Sequence, residues 1–283
     1  MTIKKILVPL DGGQRFQSLL ETSLAAARRF SAHIEVLYVR PNPRHAVPYA
    51  TLGMSGRMKK SVVEAARQQA ADQSAKARAR FERFFAKHSV PIAKRPSRGA
   101  IVSASWCEET GSIAEALAGR ALYCDAIALT RPGTGSTSAE ILETALLETA
   151  SPVLMFPPTL QQWGATNVAI AWNAKPEAAR AVAAAMPCLA AARTVTVLVS
   201  SKRLASGKEL VEHLAWHNIK TVLRQFDVRS RSVGETLLAE SRRLKCDLLV
   251  MGGYSHTRAR QLLFGGVTRH IMASAEIPVL MAH

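Results

Sequence analysis

Paired cysteines, clustered aromatics, long apolar runs and a full complement of acids are all missing from this chain, and each shortage closes off a class of protein. Cys107, Cys124, Cys188 and Cys246 are the only cysteines in 283 residues, and no two form a Cys-x-x-Cys pair. Neither a zinc knuckle nor a dithiol redox motif is therefore expected, and the thiols read as small buried apolar groups. Trp106, Trp163, Trp172 and Trp216 are too dispersed for a stacking platform, so packing in a core or interface is expected of each. The apolar runs, such as Ile6 to Leu10, fall far short of the ~20 residues of a membrane span. A strand-like run follows Met-Thr-Ile-Lys-Lys at once, without the apolar segment and cleavage site of a secretory signal, so a soluble, cytoplasmic protein is expected.

Acids are scarce against bases, 21 to 37, which gives a formal charge of +16. The excess is spread through the chain, and its densest stretch runs from Arg57 to Arg95, where only Glu64, Asp72 and Glu82 oppose eleven cations. Such a stretch favours polyanions in general. It lacks the interleaved aromatics that stack on bases, so specific nucleic-acid binding is not expected, and a solvated basic helix accounts for it equally.

What the chain does have is an internal repeat. Lys5-Ile-Leu-Val-Pro-Leu-Asp11 aligns with Val168-Ala-Ile-Ala-Trp-Asn173, and Ser112-Ile-Ala-Glu-Ala-Leu117 with Ser232-Val-Gly-Glu-Thr-Leu237. Cys124-Asp-Ala-Ile-Ala-Leu-Thr130 aligns with Cys246-Asp-Leu-Leu-Val-Met-Gly252, and Pro152-Val-Leu-Met-Phe156 with Pro278-Val-Leu-Met-Ala282. The four matches are collinear. Within each copy short Val/Ile/Leu runs alternate with longer amphipathic segments, the pattern of a buried parallel sheet flanked by helices. Strands are predicted near 4–10, 33–39, 101–106, 125–130 and 152–156, and again near 167–172, 194–199, 221–226, 247–252 and 278–282. Helices in the first copy are predicted near 15–30, 60–88, 112–122 and 138–149. The fold class is α/β: two tandem open five-stranded parallel-sheet units, residues 1–158 and 159–283, joined through Pro157 to Ala165. Ser112 and Ser232 each precede a glutamate by three residues, the capping-box signature of a helix start.

In an open parallel sheet, ligands sit at the carboxyl ends of the strands. After its fourth strand the second copy reads Met251-Gly-Gly-Tyr-Ser-His-Thr-Arg-Ala-Arg-Gln-Leu-Leu-Phe-Gly-Gly-Val-Thr268. Gly252 and Gly253 permit a sharp turn with bare backbone, and Gly265-Gly266 open a predicted helix whose first N–H groups favour an anion. Arg258, Arg260 and Thr268 offer further donors to phosphate oxygens. A glycine-rich turn before a helix, with no ligand, is the competing reading. In the first copy the loop reads Thr130-Arg-Pro-Gly-Thr-Gly-Ser136; Ala139 and Glu140 align with Gly265 and Gly266, and a glutamate there repels phosphate. Glu209, His213 and His217 fall on one face of a predicted helix at metal-ligand spacing, but no fourth ligand is evident and a solvated face is expected. There is no G-x-S-x-G, H-E-x-x-H or P-loop sequence, so catalysis is not expected.

The Met251–Thr268 segment resembles the glycine signature of the universal stress protein family, G-x2-G-x9-G-(S/T), and the opening and closing strands extend the resemblance over the whole chain. The resemblance implies a five-stranded α/β unit of the adenine-nucleotide α-hydrolase-like, Rossmann-like kind, repeated in tandem. It implies an adenine nucleotide, ATP accompanied by Mg, bound in the second copy. Carried over, the signature falls on Gly252, Ser255, Gly265 and Gly266, with Met251, Arg258, Val267 and Thr268 around them, and the adenosine end falls on Ala171, Asn173 and Val199. Ser255 and Gly266 depart from the motif, as does Asn173 where an aspartate is usual. The resemblance also implies that the last strands of the copies pair, making an intramolecular pseudo-dimer, with further homodimerisation open. Two functions follow as expectations: a nucleotide-binding regulator of the stress response, or a nucleotide-free interaction scaffold.

Overall fold

Strands and helices alternate along the chain as the repeat predicts. The computed structural model describes residues 2–10, 16–40, 42, 55–95, 102–132, 136–158, 160, 163–228, 231–253 and 266–283. The first copy runs β1 (Lys5–Leu10), α1 (Phe16–Phe30), β2 (His33–Arg40), α2 (Gly56–Lys87), β3 (Ser103–Thr110), α3 (Ile113–Ala121), β4 (Ala126–Thr130), α4 (Ser136–Leu147) and β5 (Val153–Phe156). The second runs β6 (Asn167–Ala171), α5 (Pro176–Ala190), β7 (Thr194–Ser200), α6 (Leu204–Ala215), β8 (Thr221–Phe226), α7 (Val233–Arg243), β9 (Leu248–Gly252), α8 (Gly266–Ser274) and β10 (Val279–Ala282).

The ten strands form one sheet in the order β3-β2-β1-β4-β5-β10-β9-β6-β7-β8. Every neighbouring pair is parallel except β5 with β10, which run antiparallel with Leu154 opposite Leu280. The expected pairing of the two last strands is what joins the halves. Alternation along each strand divides the core in two. Ile6, Val8 and Leu10 face α1 and α2, and Ile170 and Val197 face α5 and α6. Leu7, Ile127, Leu249 and Met281 face α3, α4, α7 and α8. The two first helices of the copies bury matching positions: Phe16, Leu19, Leu20 and Ser23 in α1, and Ala178, Ala181, Val182 and Ala185 in α5.

The Cys-Asp pair that opens the fourth strand of each copy has a structural task. Asp125 Oδ2 accepts hydrogen bonds from the Lys4 and Lys5 amides at 2.8 and 2.9 Å. Asp247 accepts from the Thr166 and Asn167 amides, both at 2.8 Å. Each carboxylate thus clamps the start of its neighbouring first strand. The cysteines are packed as expected, Cys188 and Cys246 being buried and Cys107 and Cys124 half-buried. Burial raises all four thiols above the usual range, Cys124 and Cys188 to about 12 and Cys246 to about 11.

Two expectations are corrected. Ser232 makes both bonds of the capping box, donor and acceptor with Glu235. Ser112 occupies the equivalent N-cap of α3 but its side chain makes no capping bond. Trp216 is not packed: it is 87% exposed just beyond α6, whereas Trp163 of the linker is buried against Phe30 and Phe156 and Trp106 stacks on Tyr38. The last turn of α6 leaves Trp216 at the outer end of the second copy, where no helix covers it. Chemical denaturation should therefore show Ser232→Ala losing about 1 kcal/mol, while Ser112→Ala stays within about 0.5 kcal/mol of the parent. Equal losses at the two positions would contradict this assignment.

Candidate functional site

The carboxyl ends of β6, β7 and β9 open onto a cavity of about 410 Å³. Its floor is apolar: Ala171 at the end of β6, Leu198 on β7, Phe226 closing β8, Met251 on β9, and Val233 and Leu237 from α7. Its rim is polar and carries two cations, with Trp172, Asn173, Lys175, Ser200, Arg203 and Thr268. That composition suits a ligand with a flat apolar part and an anionic part.

Local sequence explains how each wall is placed. Beyond β6 the Trp172 amide still bonds the Leu198 carbonyl at 2.9 Å, which prolongs the strand pairing by one residue. Asn173 Oδ1 then accepts from the Lys175 amide at 3.1 Å while Ala174 takes the left-handed conformation, φ 57°, and the chain turns into α5. Trp172 Nε1 donates to Ser206 Oγ at 3.2 Å, which fixes the indole between the cavity and α6. Lys175 and Arg203 have no carboxylate partner within salt-bridge distance among the described residues. Glu177, in the first turn of α5, stands 3.8 Å from Arg180, and its Oε2 is buried without a hydrogen-bond partner.

Of the residues expected from sequence, Ala171, Asn173, Met251, Gly252, Gly266, Val267 and Thr268 meet around this cavity. Ser255, Arg258 and Gly265, with Arg260, lie outside the described residues. The Val199 side chain does not line this cavity. It is fully buried on the opposite face of β7, where its methyls abut Gly207 of α6, and strand alternation puts Leu198 and Ser200 on the cavity instead. The reading of Gly252 as a sharp turn is also corrected: the residue ends β9 without a positive φ. A Cβ there would meet the Ala178 amide nitrogen at 2.7 Å and Glu177 at 2.9 Å, so glycine is required by the close approach of α5. Lys175, Glu177, Ser200 and Arg203 were not foreseen; the signal for Ser200 was the alternation of β7, and for the others their place just after a strand.

In the first copy a space of about 20 Å³ at the ends of β1 and β4 is lined by Pro9, Leu10, Phe16, Leu19, Leu129, Thr130, Ser138 and Ile141. Pro9, Leu10, Leu129 and Thr130 match Ala171, Trp172, Met251 and Gly252 in the repeat, while Phe16 and Leu19 stand where α5 has Ala178 and Ala181, which do not line the cavity of the second copy. Glu140, which the sequence sets against a phosphate, is exposed in α4. Gly133, Thr134 and Gly135 of the first copy's loop lie outside the described residues. His213 and His217 do meet, ring centroids 5.1 Å apart, in a groove with Glu209 and Trp172, but His217 falls beyond the end of α6. Among the described residues no three His, Cys, Asp or Glu side chains are grouped to hold a metal, and no helix is long and apolar enough to cross a membrane.

Comparison with known proteins places the chain. The sequence model described as "Universal stress protein family" matches residues 2–136 and 165–283. A universal stress protein from Archaeoglobus fulgidus DSM 4304 superposes with a TM-score of 0.71 at 14% identity, over 98% of this chain and 97% of that one. A Pseudomonas aeruginosa UCBPP-PA14 structure, whose own universal-stress assignment is provisional, gives 0.56 at 14% identity, over 99% and 93%. A universal stress protein solved in complex with cAMP covers 56% of this chain at 15% identity, with a TM-score of 0.30. No curated protein matches in sequence.

Gly252 and Gly266, two of the three glycines on the cavity wall, make opposite demands. Gly252→Ala drives a methyl into α5 and should cost about 1–3 kcal/mol in a denaturation experiment. Gly266→Ala, with open space at its Cβ, should be neutral or stabilising by up to about 1 kcal/mol. Tolerance of Gly252→Ala would contradict the close packing described.

Proposed function

We propose, for a chain that belongs to the universal stress protein family, that it binds one adenine nucleotide, ATP in the first instance, in the cavity of its second copy. On this reading it acts as a binding regulator in the stress response and not through turnover. The observation that carries the reading is the cavity of about 410 Å³ at the carboxyl ends of β6, β7 and β9, with an apolar floor and with Lys175, Arg203 and the start of α8 on its rim. The base would lie on the floor of Ala171, Leu198, Phe226 and Met251. The phosphates would lie toward Thr268 and Gly266 of α8, with the cations Lys175 and Arg203 on the rim. Any Mg ion would arrive on the phosphates, since Glu177 is the single carboxylate among the described residues of the wall.

The scaffold reading draws on one observation: Asn173 stands where the family usually has an aspartate, and its Oδ1 is engaged by the Lys175 amide. Mass spectrometry of small molecules released from the purified protein, followed by equilibrium dialysis with ATP, ADP and cAMP, separates the two. ATP binding is expected. Gly266→Asp has room for its side chain and sets a carboxylate on the wall, so it should weaken ATP binding by about tenfold or more, or ~1.4 kcal/mol. Absence of any nucleotide binding, or binding indifferent to Gly266→Asp, favours the scaffold.

A further inference from the structure

One acid, Glu177, stands on a cavity wall that is otherwise neutral or cationic among the described residues. Its place is set twice over. It lies in the first turn of α5, and α5 comes so near the end of β9 that a Cβ on Gly252 would stand 2.9 Å from the Glu177 Cβ. The carboxylate is poorly served there. Its side chain is 14% exposed, its Oε2 is buried without a hydrogen-bond partner, and Arg180 Nη2 is 3.8 Å from its Oε1, beyond hydrogen-bond reach. Arg180 is held elsewhere, its Nε donating to the His283 carbonyl at 2.7 Å. A buried carboxylate oxygen without a donor costs free energy that a donor on a ligand offsets. The last torsion of a glutamate is soft, so either oxygen can turn to the cavity that the side chain lines.

Position along the cavity selects the donor. The strands run in the order β9-β6-β7-β8, and the floor reaches Leu198 on β7 and Phe226 on β8, while Gly266 and Thr268 stand at the start of α8, which follows β9. Glu177 abuts Gly252 at the end of β9, between the two. A nucleotide with its base over β7 and β8 and its phosphates at α8 carries its sugar past this residue. Phosphate oxygens repel a carboxylate, and the amine of the base belongs at the far end; the vicinal hydroxyls of a ribose offer donors in the middle.

We infer that Glu177 accepts hydrogen bonds from the ribose hydroxyls of the bound nucleotide, so that the site discriminates against deoxyribose. This assignment rests on the nucleotide reading of the same cavity and places a specificity residue outside the glycine signature. A carboxylate kept solely to favour the start of α5 would be blind to the sugar.

Equilibrium dialysis of the full chain with ATP, 2′-deoxy-ATP and 3′-deoxy-ATP, on the parent and on Glu177→Gln, tests the assignment, with circular dichroism to confirm that the variant is folded. The parent should bind ATP about tenfold more tightly than at least one of the deoxy analogues, and Glu177→Gln should bring that ratio within about threefold, chiefly by weakening ATP. A parent that binds ATP no better than either analogue overturns the assignment and leaves the nucleotide reading standing. So does a preference that Glu177→Gln leaves intact. No binding of ATP at all overturns both.

Discussion

The antiparallel pairing of β5 with β10 is the constraint on which the rest of the molecule depends. Each is a four-residue strand buried along its whole length, and neither has enough surface to stand as an edge. Joining them removes two buried edges at once and makes one sheet of two. The joint also braces the site. Gly253, on the cavity wall, bonds its amide to the Ala282 carbonyl at 2.8 Å and packs toward Leu146 of the first copy. Arg131 of the first copy donates to the Ala273 carbonyl of α8 at 2.7 Å, and Arg180 of α5 to the His283 carbonyl at 2.7 Å. The first copy therefore supports the helices and strands around a cavity that it does not itself line.

Much of this was legible in sequence because it is written in periodicity. Buried strands read as apolar runs, the collinear repeat gave the succession of strands and helices in both halves, and Ser232 with Glu235 marked a helix start that the structure confirms. The failures have physical causes. Ser112 has the same local sequence as Ser232, yet a capping bond depends on backbone entry geometry that three residues do not specify. Val199 stood one position from the cavity, and in a strand one position changes the face. Gly252 appeared as a turn residue because glycine before a loop usually is one; its true requirement, the nearness of α5, comes from a segment some seventy-five residues earlier in the chain.

Isothermal titration of the full chain with ATP tests the assignment of the nucleotide to the second copy most directly, because it counts sites. One site per chain is predicted. Two equivalent sites would contradict the assignment to the second copy alone, and no binding at all would remove the nucleotide from the account of that copy.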